Sequence, residues 1–216
     1  MNHSTKPEIL ESFLEYRGTL STPAIDRWGI PNPFVIGLMP YLTPHGVGLA
    51  DLSFNADAKT LAEMYLNISL RKFNGAIKVF PEKLEISLLN PNWDIAPTLV
   101  PLFDSLRSVF QYVGGQTIGA QEITVALHVT HGDVDVDSRM KSLVNTAALG
   151  PAKSYGFAAY RDDGYISLER SVRHNAASFI RINRRYIPSL NFAEMAKLLY
   201  GDEIAVLGLI GIEGIA

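Results

Sequence analysis

The sequence contains no cysteine among its 216 residues. Disulfides, thiolate zinc sites, iron–sulfur clusters and cysteine nucleophiles are therefore excluded. It also lacks a strong excess of either charge. Its 19 basic and 22 acidic residues give a net charge of −3, which argues against general affinity for nucleic acids or anionic membranes. Hydrophobic residues make up 47% of the chain and charged residues 19%, which is typical of a folded globular protein.

Long hydrophobic segments are missing as well. The longest apolar run, over residues 204–212, is much shorter than the about 20 residues that a transmembrane helix needs, so we predict a buried strand or an interface segment there. The N-terminal residues do not match a secretory signal, because no basic flank precedes an apolar stretch. We expect a cytoplasmic protein with no membrane partner.

Helical and strand patterns alternate along the chain. Hydrophobic spacing and helix caps predict helices over residues 7–18 and 99–113, from a cap at Asn55 or Asp57 to about residue 72, after Asp137, and after a capping box formed by Asn191 and Glu194. Alternating apolar residues predict strands over residues 76–80, 84–89, 122–130, 155–160, 165–171 and 178–187. The proline-rich stretch over residues 21–44 is expected to be extended.

The two halves of the chain share the order strand, helix, hairpin, helix. The hairpin over residues 75–89 aligns with the one over residues 156–169, and both contain a glycine and the sequence Ile-Ser-Leu. We predict one domain over residues 1–216. Two structural halves remain an open alternative: an N-terminal arm plus a first repeat over 1–116, and a second repeat over 117–216.

Hairpin connections between the strands favour antiparallel pairing. We therefore predict an α+β fold with an antiparallel, curved sheet and with helices packed on one face of it. If the halves are repeats, the unit is a pseudo-duplicated strand–helix–hairpin–helix.

The hairpin and helix over residues 75–110 resemble a sporadically distributed bacterial family of uncharacterised proteins. Its members have a strand, a Pro-x-Lys/Arg-aliphatic turn, a strand, a proline turn and an amphipathic helix, and later an arginine-containing strand that leads to an aliphatic residue and a proline. Residues 80–84 (FPEKL) and 181–188 (RINRRYIP) stand in those places here. The resemblance covers about half of the chain, and it implies an order of elements but no activity.

Imidazoles and carboxylates are concentrated at His128, His131 and Asp133, which Asp135 and Asp137 follow. Such groups bind metals or exchange protons. Residues three apart on a strand point to opposite faces, so the two histidines converge only if the strand breaks between them. We expect structural roles for these residues, with a metal site on His128, His131 and Asp133 as the alternative. No cofactor is predicted.

The chain is basic between residues 170 and 185, in contrast to its overall balance. On a strand, Arg181 and Arg185 share one face with Phe179, and Arg184 lies on the other. Three interpretations are open: a solvated surface paired with nearby acids, a site for an anionic ligand, and a basic aromatic surface for single-stranded nucleic acid. The candidate ligand-binding residues are Arg170, Arg173, His174, Arg181, Arg184 and Arg185.

Nucleophile, phosphate-loop and zinc-protease motifs are missing from the sequence. We predict a non-enzymatic binding or assembly protein that acts through protein–protein contacts, with another protein or a second copy of itself, in a homo-oligomer, as its partner. The first alternative is an enzyme or ligand-binding protein whose small anionic ligand docks on Arg181, Arg184 and Arg185. The second is single-stranded nucleic-acid binding, although the overall charge makes nucleic acid an unexpected partner. Aromatic residues such as Tyr160 and Tyr165 are expected in the core or around an apolar pocket.

Overall fold

A computed structural model describes residues 6–23, 33–55, 57–91, 100–101, 103–104, 117–143 and 156–212. The strands in these residues are β1 (Ile9–Leu20), β2 (Leu52–Phe54), β3 (Leu66–Leu70), β4 (Gly75–Val79), β5 (Lys83–Leu89), β6 (Ile118–Thr130), β7 (Phe157–Arg161), β8 (Gly164–Arg170) and β9 (Ala177–Tyr186). The α-helices are α1 (Pro33–Leu42), α2 (Val136–Leu143) and α3 (Phe192–Leu209).

The nine strands form one open antiparallel sheet in the order β2-β3-β4-β5-β1-β6-β9-β8-β7. The predicted α+β fold with an antiparallel sheet is therefore confirmed. The predicted hairpins are β4–β5, in which Ile77 pairs with Ile86, and β7–β8, in which Tyr160 pairs with Tyr165. Gly164 begins β8 with φ at +150°, and a Cβ atom there would collide with the backbone of Asn183, so this turn requires glycine.

The chain divides into two compact units. The larger unit comprises residues 14–123 and 185–195, and the smaller unit comprises residues 1–13, 124–184 and 196–216. The larger unit contains β2 to β5 and α1, and the smaller unit contains α2, β7 and β8. The two sequence halves, 1–116 and 117–216, stay a prediction.

The core of the larger unit is built on strands with one buried face. Leu66, Ile68 and Leu70 of β3 are fully buried, and their polar neighbours in the strand are half-buried, which is the pattern of a sheet with one packed side.

A second part of this core surrounds Tyr16, which is fully buried. Its ring lies 4.6 Å from that of Phe192, and its hydroxyl donates to Oε1 of Gln121 at 3.1 Å. The Gln121 amide donates to the carbonyls of Ile187 and Leu190 at 2.8 and 3.1 Å, which satisfies an otherwise costly buried amide.

Helix caps explain where the two later helices begin. The predicted capping box of α3 is confirmed, because the Glu194 N–H donates to Oδ1 of Asn191 and the Asn191 N–H donates to Oε2 of Glu194, both at 2.8 Å. The predicted cap of α2 is wrong by two residues. Asp135, and not Asp137, accepts the Ser138 N–H at 3.0 Å.

Two predicted helices are strands or turns in the structure. Residues 7–18 were expected to be helical, but they lie in β1, a central strand whose Tyr16 and Leu20 are buried. Residues 57–72 form a short 3₁₀ turn at Leu61–Glu63 followed by β3. In both segments the apolar residues also fit a period of two, and sheet pairing overrides the local helical pattern.

Two segments are helical that were predicted otherwise, one as extended chain and the other as a buried strand or an interface segment. Residues 33–42 form α1, in which Pro33 takes the first position, Pro40 lies in the last turn, and Leu38 and Leu42 are fully buried. The apolar run at 204–212 continues α3 to Leu209. Of the helix predicted over 99–113, only residues 100–101 and 103–104 are described, and they are helical.

In the described part of the chain, no helix combines the length and the apolar character needed to cross a membrane. The cytoplasmic location stays a prediction.

Candidate functional site

Strand β9 separates its basic residues onto two faces. Ser178, Ile180 and Ile182 are buried on the face that also carries Arg184. On the opposite face, Arg181 is exposed. This alternation follows from the period of two that a strand imposes.

The face with Arg181 extends across the neighbouring strands of the smaller unit. Ser167 lies opposite Arg181, and Tyr165 is paired with both Asn183 and Tyr160; residues directly opposite each other in an antiparallel ladder share a face. On β6, Thr124 accepts a hydrogen bond from the Asn183 amide at 2.9 Å. We call this surface the aromatic face, and its members used below are His128, Tyr160, Tyr165, Phe179 and Arg181.

Two aromatic contacts and one cation–π contact define the aromatic face. The rings of Tyr160 and Tyr165 are 6.0 Å apart, and the Arg181 guanidinium lies 5.6 Å from the centre of the Tyr165 ring. At the other end, the rings of His128 and Phe179 are 4.9 Å apart. Tyr160 is 82% exposed, so the expectation that it lies in the core or a pocket is wrong for this residue.

Hydrogen bonds fix the tautomer of His128. The Ser171 hydroxyl oxygen accepts the backbone N–H groups of Arg173 and His174 at 3.2 and 3.0 Å, so its proton is directed to Nδ1 of His128, 2.9 Å away. The remaining nitrogen, Nε2, then carries the proton of the neutral ring and lies 4.0 Å from Oε2 of Glu11. Burial lowers the pKa of His128, against the opposing charge of Glu11.

Glu11 on β1 is the centre of a group of arginine and histidine side chains. Its carboxylate accepts a hydrogen bond from Arg173 at 3.0 Å, and Nε2 of His174 lies 3.3 Å away. The hydrogen bond from Arg173 lowers the pKa of Glu11, which burial opposes and His174 reinforces. We call Glu11, His128, Arg173 and His174 the glutamate cluster.

Arg184 lies on the other face, in an ion network with Arg161, Asp163 and Asp202. Arg161 donates two hydrogen bonds to Asp202 at 2.7 and 2.9 Å, and Arg184 contacts Asp202 and Asp163 at 3.0 Å each. Burial raises the pKa of Asp202, but the hydrogen bond from Arg161 and the nearby charge of Arg184 outweigh it and lower that pKa. The structure therefore does not bring Arg184 to Arg181. Arg185 is exposed and belongs to the larger unit.

The candidate metal residues take separate partners. Nε2 of His131 lies 2.8 Å from the Ser178 hydroxyl, whereas His128 is bound to Ser171. Asp133 is exposed. Across the residues that the structure describes, no three histidine or carboxylate side chains converge as a metal site would require.

Arg170, another of the predicted ligand-binding residues, is exposed and lies opposite Ser178.

Sequence reasoning identified Arg173, His174 and Arg181 by charge, and the structure places all three at or beside the aromatic face. The sequence did not point to Glu11, because the segment that contains it, residues 7–18, was expected to be helical. A period-two reading of β1 would have placed Glu11 on the strand face opposite the buried Tyr16.

No protein-family model matches the sequence, and no curated protein matches it. Among solved structures, the chain is similar to one described as "Rolling Circle Replication Initiator Protein from Geobacillus stearothermophilus", with 11% identity, a TM-score of 0.40, and coverage of 96% of this chain and 84% of that one.

This comparison contradicts the prediction of a non-enzymatic protein that acts through protein–protein contacts, because the neighbour is described as a replication initiator. We withdraw that prediction. The expectation that nucleic acid is not a partner does not fit the comparison either.

Proposed function

We propose that the protein binds single-stranded nucleic acid on the aromatic face. The observation that supports this most strongly is the exposed ring of Tyr160 beside Tyr165, with the Arg181 guanidinium over the second ring. Unpaired bases stack on aromatic rings and on arginine planes, and arginine also binds the phosphates between them. An antiparallel sheet holds these side chains in fixed positions on one face.

The length of the aromatic face sets the number of nucleotides that it can hold. Tyr165 lies opposite Asn183, and Glu169 lies opposite Phe179. Four residues along β9 therefore separate the two aromatic positions, which is about 13 Å at the usual rise of a strand. That distance corresponds to about four steps of a stacked single strand. Arg181 lies midway between the two positions.

The charges on and beside this face imply that stacking provides most of the affinity. Arg181 and Arg173 are exposed cations, but Arg173 is held by the Glu11 carboxylate at 3.0 Å, so Arg181 is the cation of the aromatic face that we expect to contact a phosphate. With about one phosphate neutralised, the logarithm of the binding constant should fall with the logarithm of salt concentration with a slope of about −0.7. That is a weak salt dependence for a nucleic-acid-binding protein.

Replacing Tyr160 by alanine tests the stacking role. We expect Tyr160→Ala to weaken binding of a fluorescein-labelled ten-nucleotide oligothymidylate by at least about fivefold, since stacking on one aromatic side chain is worth about 1–3 kcal/mol. Fluorescence anisotropy at low salt measures it. Because Tyr160 is so exposed, the substitution should leave the fold intact.

The matched control is Tyr200→Ala. Tyr200 is a half-exposed tyrosine on α3, in the smaller unit but away from the aromatic face. Its replacement should change the affinity by less than about twofold. Equal losses from the two substitutions, or no binding by the unmodified protein, would contradict the proposal.

A further inference from the structure

The glutamate cluster lies at the Phe179 end of the aromatic face. His128 connects the two, because its ring lies 4.9 Å from that of Phe179 and 5.1 Å from that of His174. A base stacked on Phe179 would therefore bring its own phosphate close to Arg173 and the two histidines.

The cluster has the composition of an anion site. Arg173 presents a planar guanidinium whose side chain is 68% exposed, and such a group binds phosphate with two hydrogen bonds. Nε2 of His174 is buried and lies 3.3 Å from Oε1 of Glu11. Nε2 of His128 points toward the same carboxylate. The only anion that these groups face in the described residues is the side chain of Glu11.

We propose that Arg173, His174 and His128 form a phosphate subsite at this end of the aromatic face, and that the carboxylate of Glu11 occupies it in place of a phosphate. The ligand is a phosphodiester of the same strand whose base stacks on Phe179. This inference rests on the proposed function. Glu11 then limits the affinity, because its negative charge both holds Arg173 and repels an incoming phosphate.

The test removes the charge of Glu11 and keeps its shape. Glu11→Gln should bind the labelled oligothymidylate at least about fivefold more tightly at low salt, and its salt slope should steepen by about 0.7, the contribution of one further phosphate contact on a single strand. Adding Arg173→Ala to this variant should abolish both gains. Glu11→Thr, which suits a strand position, is the second variant if Glu11→Gln does not fold.

Glu169→Gln is the matched control. Glu169 lies on β8 opposite Phe179 and is exposed, so its replacement removes the same charge from the same face without touching the cluster. It should tighten binding by less than about twofold and leave the slope within about 0.3 of the original. Equal effects of Glu11→Gln and Glu169→Gln would overturn the subsite and leave the stacking proposal standing.

A titration with inorganic phosphate tests the subsite independently of the proposed function. In NMR spectra, the ring protons of His128 and His174 should shift when millimolar phosphate is added to Glu11→Gln, and should not shift when it is added to the double variant with Arg173→Ala. If no variant binds an oligonucleotide but these shifts occur, the proposed function fails and the subsite stands. If the shifts are missing, the subsite is wrong.

Discussion

The surroundings of His128 and His131 determine their hydrogen-bond partners and the direction of their pKa shifts. His128 and His131 follow each other closely in sequence, yet one contacts Ser171 and the other Ser178. Burial lowers the pKa of both below the usual value of 6.5. In both cases the hydroxyl partner keeps the neutral ring hydrogen-bonded, so neither residue needs a charge in the folded state.

The direction of these pKa shifts predicts that acid weakens the fold. The unfolded chain takes up protons on both histidines near pH 6.5, and the folded chain takes them up only at lower pH. Stability should therefore fall as the pH drops below about 6.5, until the folded-state pKa values are passed. Thermal unfolding at pH 7.5, 6.5 and 5.5 measures this, and His131→Gln should reduce the loss. A melting temperature that rises on acidification in this range would refute it.

Site residues were predictable where charge alone revealed them. Arg173, His174 and Arg181 belong to a run of cations that the sequence displays directly. The roles of Tyr160 and Glu11 were not predictable in the same way. The exposure of Tyr160 depends on β7 being the edge strand of the sheet, and the position of Glu11 depends on β1 lying in the middle of it.

Asp202 links three elements of the smaller unit on the face opposite the aromatic face. This residue of α3 accepts hydrogen bonds from Arg161 at the end of β7 and from Arg184 on β9. Its side chain is 11% exposed and that of Arg184 is 19% exposed. The two arginines thus share one largely buried carboxylate, which stabilises the folded state only while all three charges are present.

Removing that carboxylate charge should destabilise the fold. We expect Asp202→Asn to lower the free energy of unfolding by about 2–4 kcal/mol, because two partly buried arginines lose a charged partner. Urea unfolding followed by circular dichroism gives the value. Glu169→Gln, an exposed change in the same unit, should cost less than about 0.5 kcal/mol. A similar small cost for Asp202→Asn would show that the network contributes little.

Secondary structure was predictable where the spacing of apolar residues fitted only one period, either that of a strand or that of a helix. The strands β4, β5, β6, β7, β8 and β9 alternate cleanly or are bounded by turn residues, and each was predicted close to its place. The segments that form β1, β3 and α1 were predicted wrongly, because their apolar residues fit two periods or contain several prolines. Their conformation is decided by partners distant in sequence, such as Gln121 for Tyr16.

At the scale of the whole molecule, the predicted sheet is present. The nearly balanced charge of the sequence does not reveal that basic and aromatic side chains are grouped on one surface. A net charge of −3 pointed away from nucleic acid as a partner. The smaller unit nevertheless presents exposed arginine and tyrosine side chains on one side of its strands, while the acids Asp163 and Asp202 are used on the other side by Arg161 and Arg184. The proposed function depends on this separation of charges between two faces.

The most direct test of that account is anisotropy of the labelled oligothymidylate with the unmodified full chain, measured over a series of salt concentrations. We expect saturable binding at low salt, with a slope of about −0.7 in the logarithmic salt plot because stacking dominates and about one phosphate is contacted. No binding at the lowest salt, or a slope steeper than about −4, would contradict a stacking surface on the aromatic face.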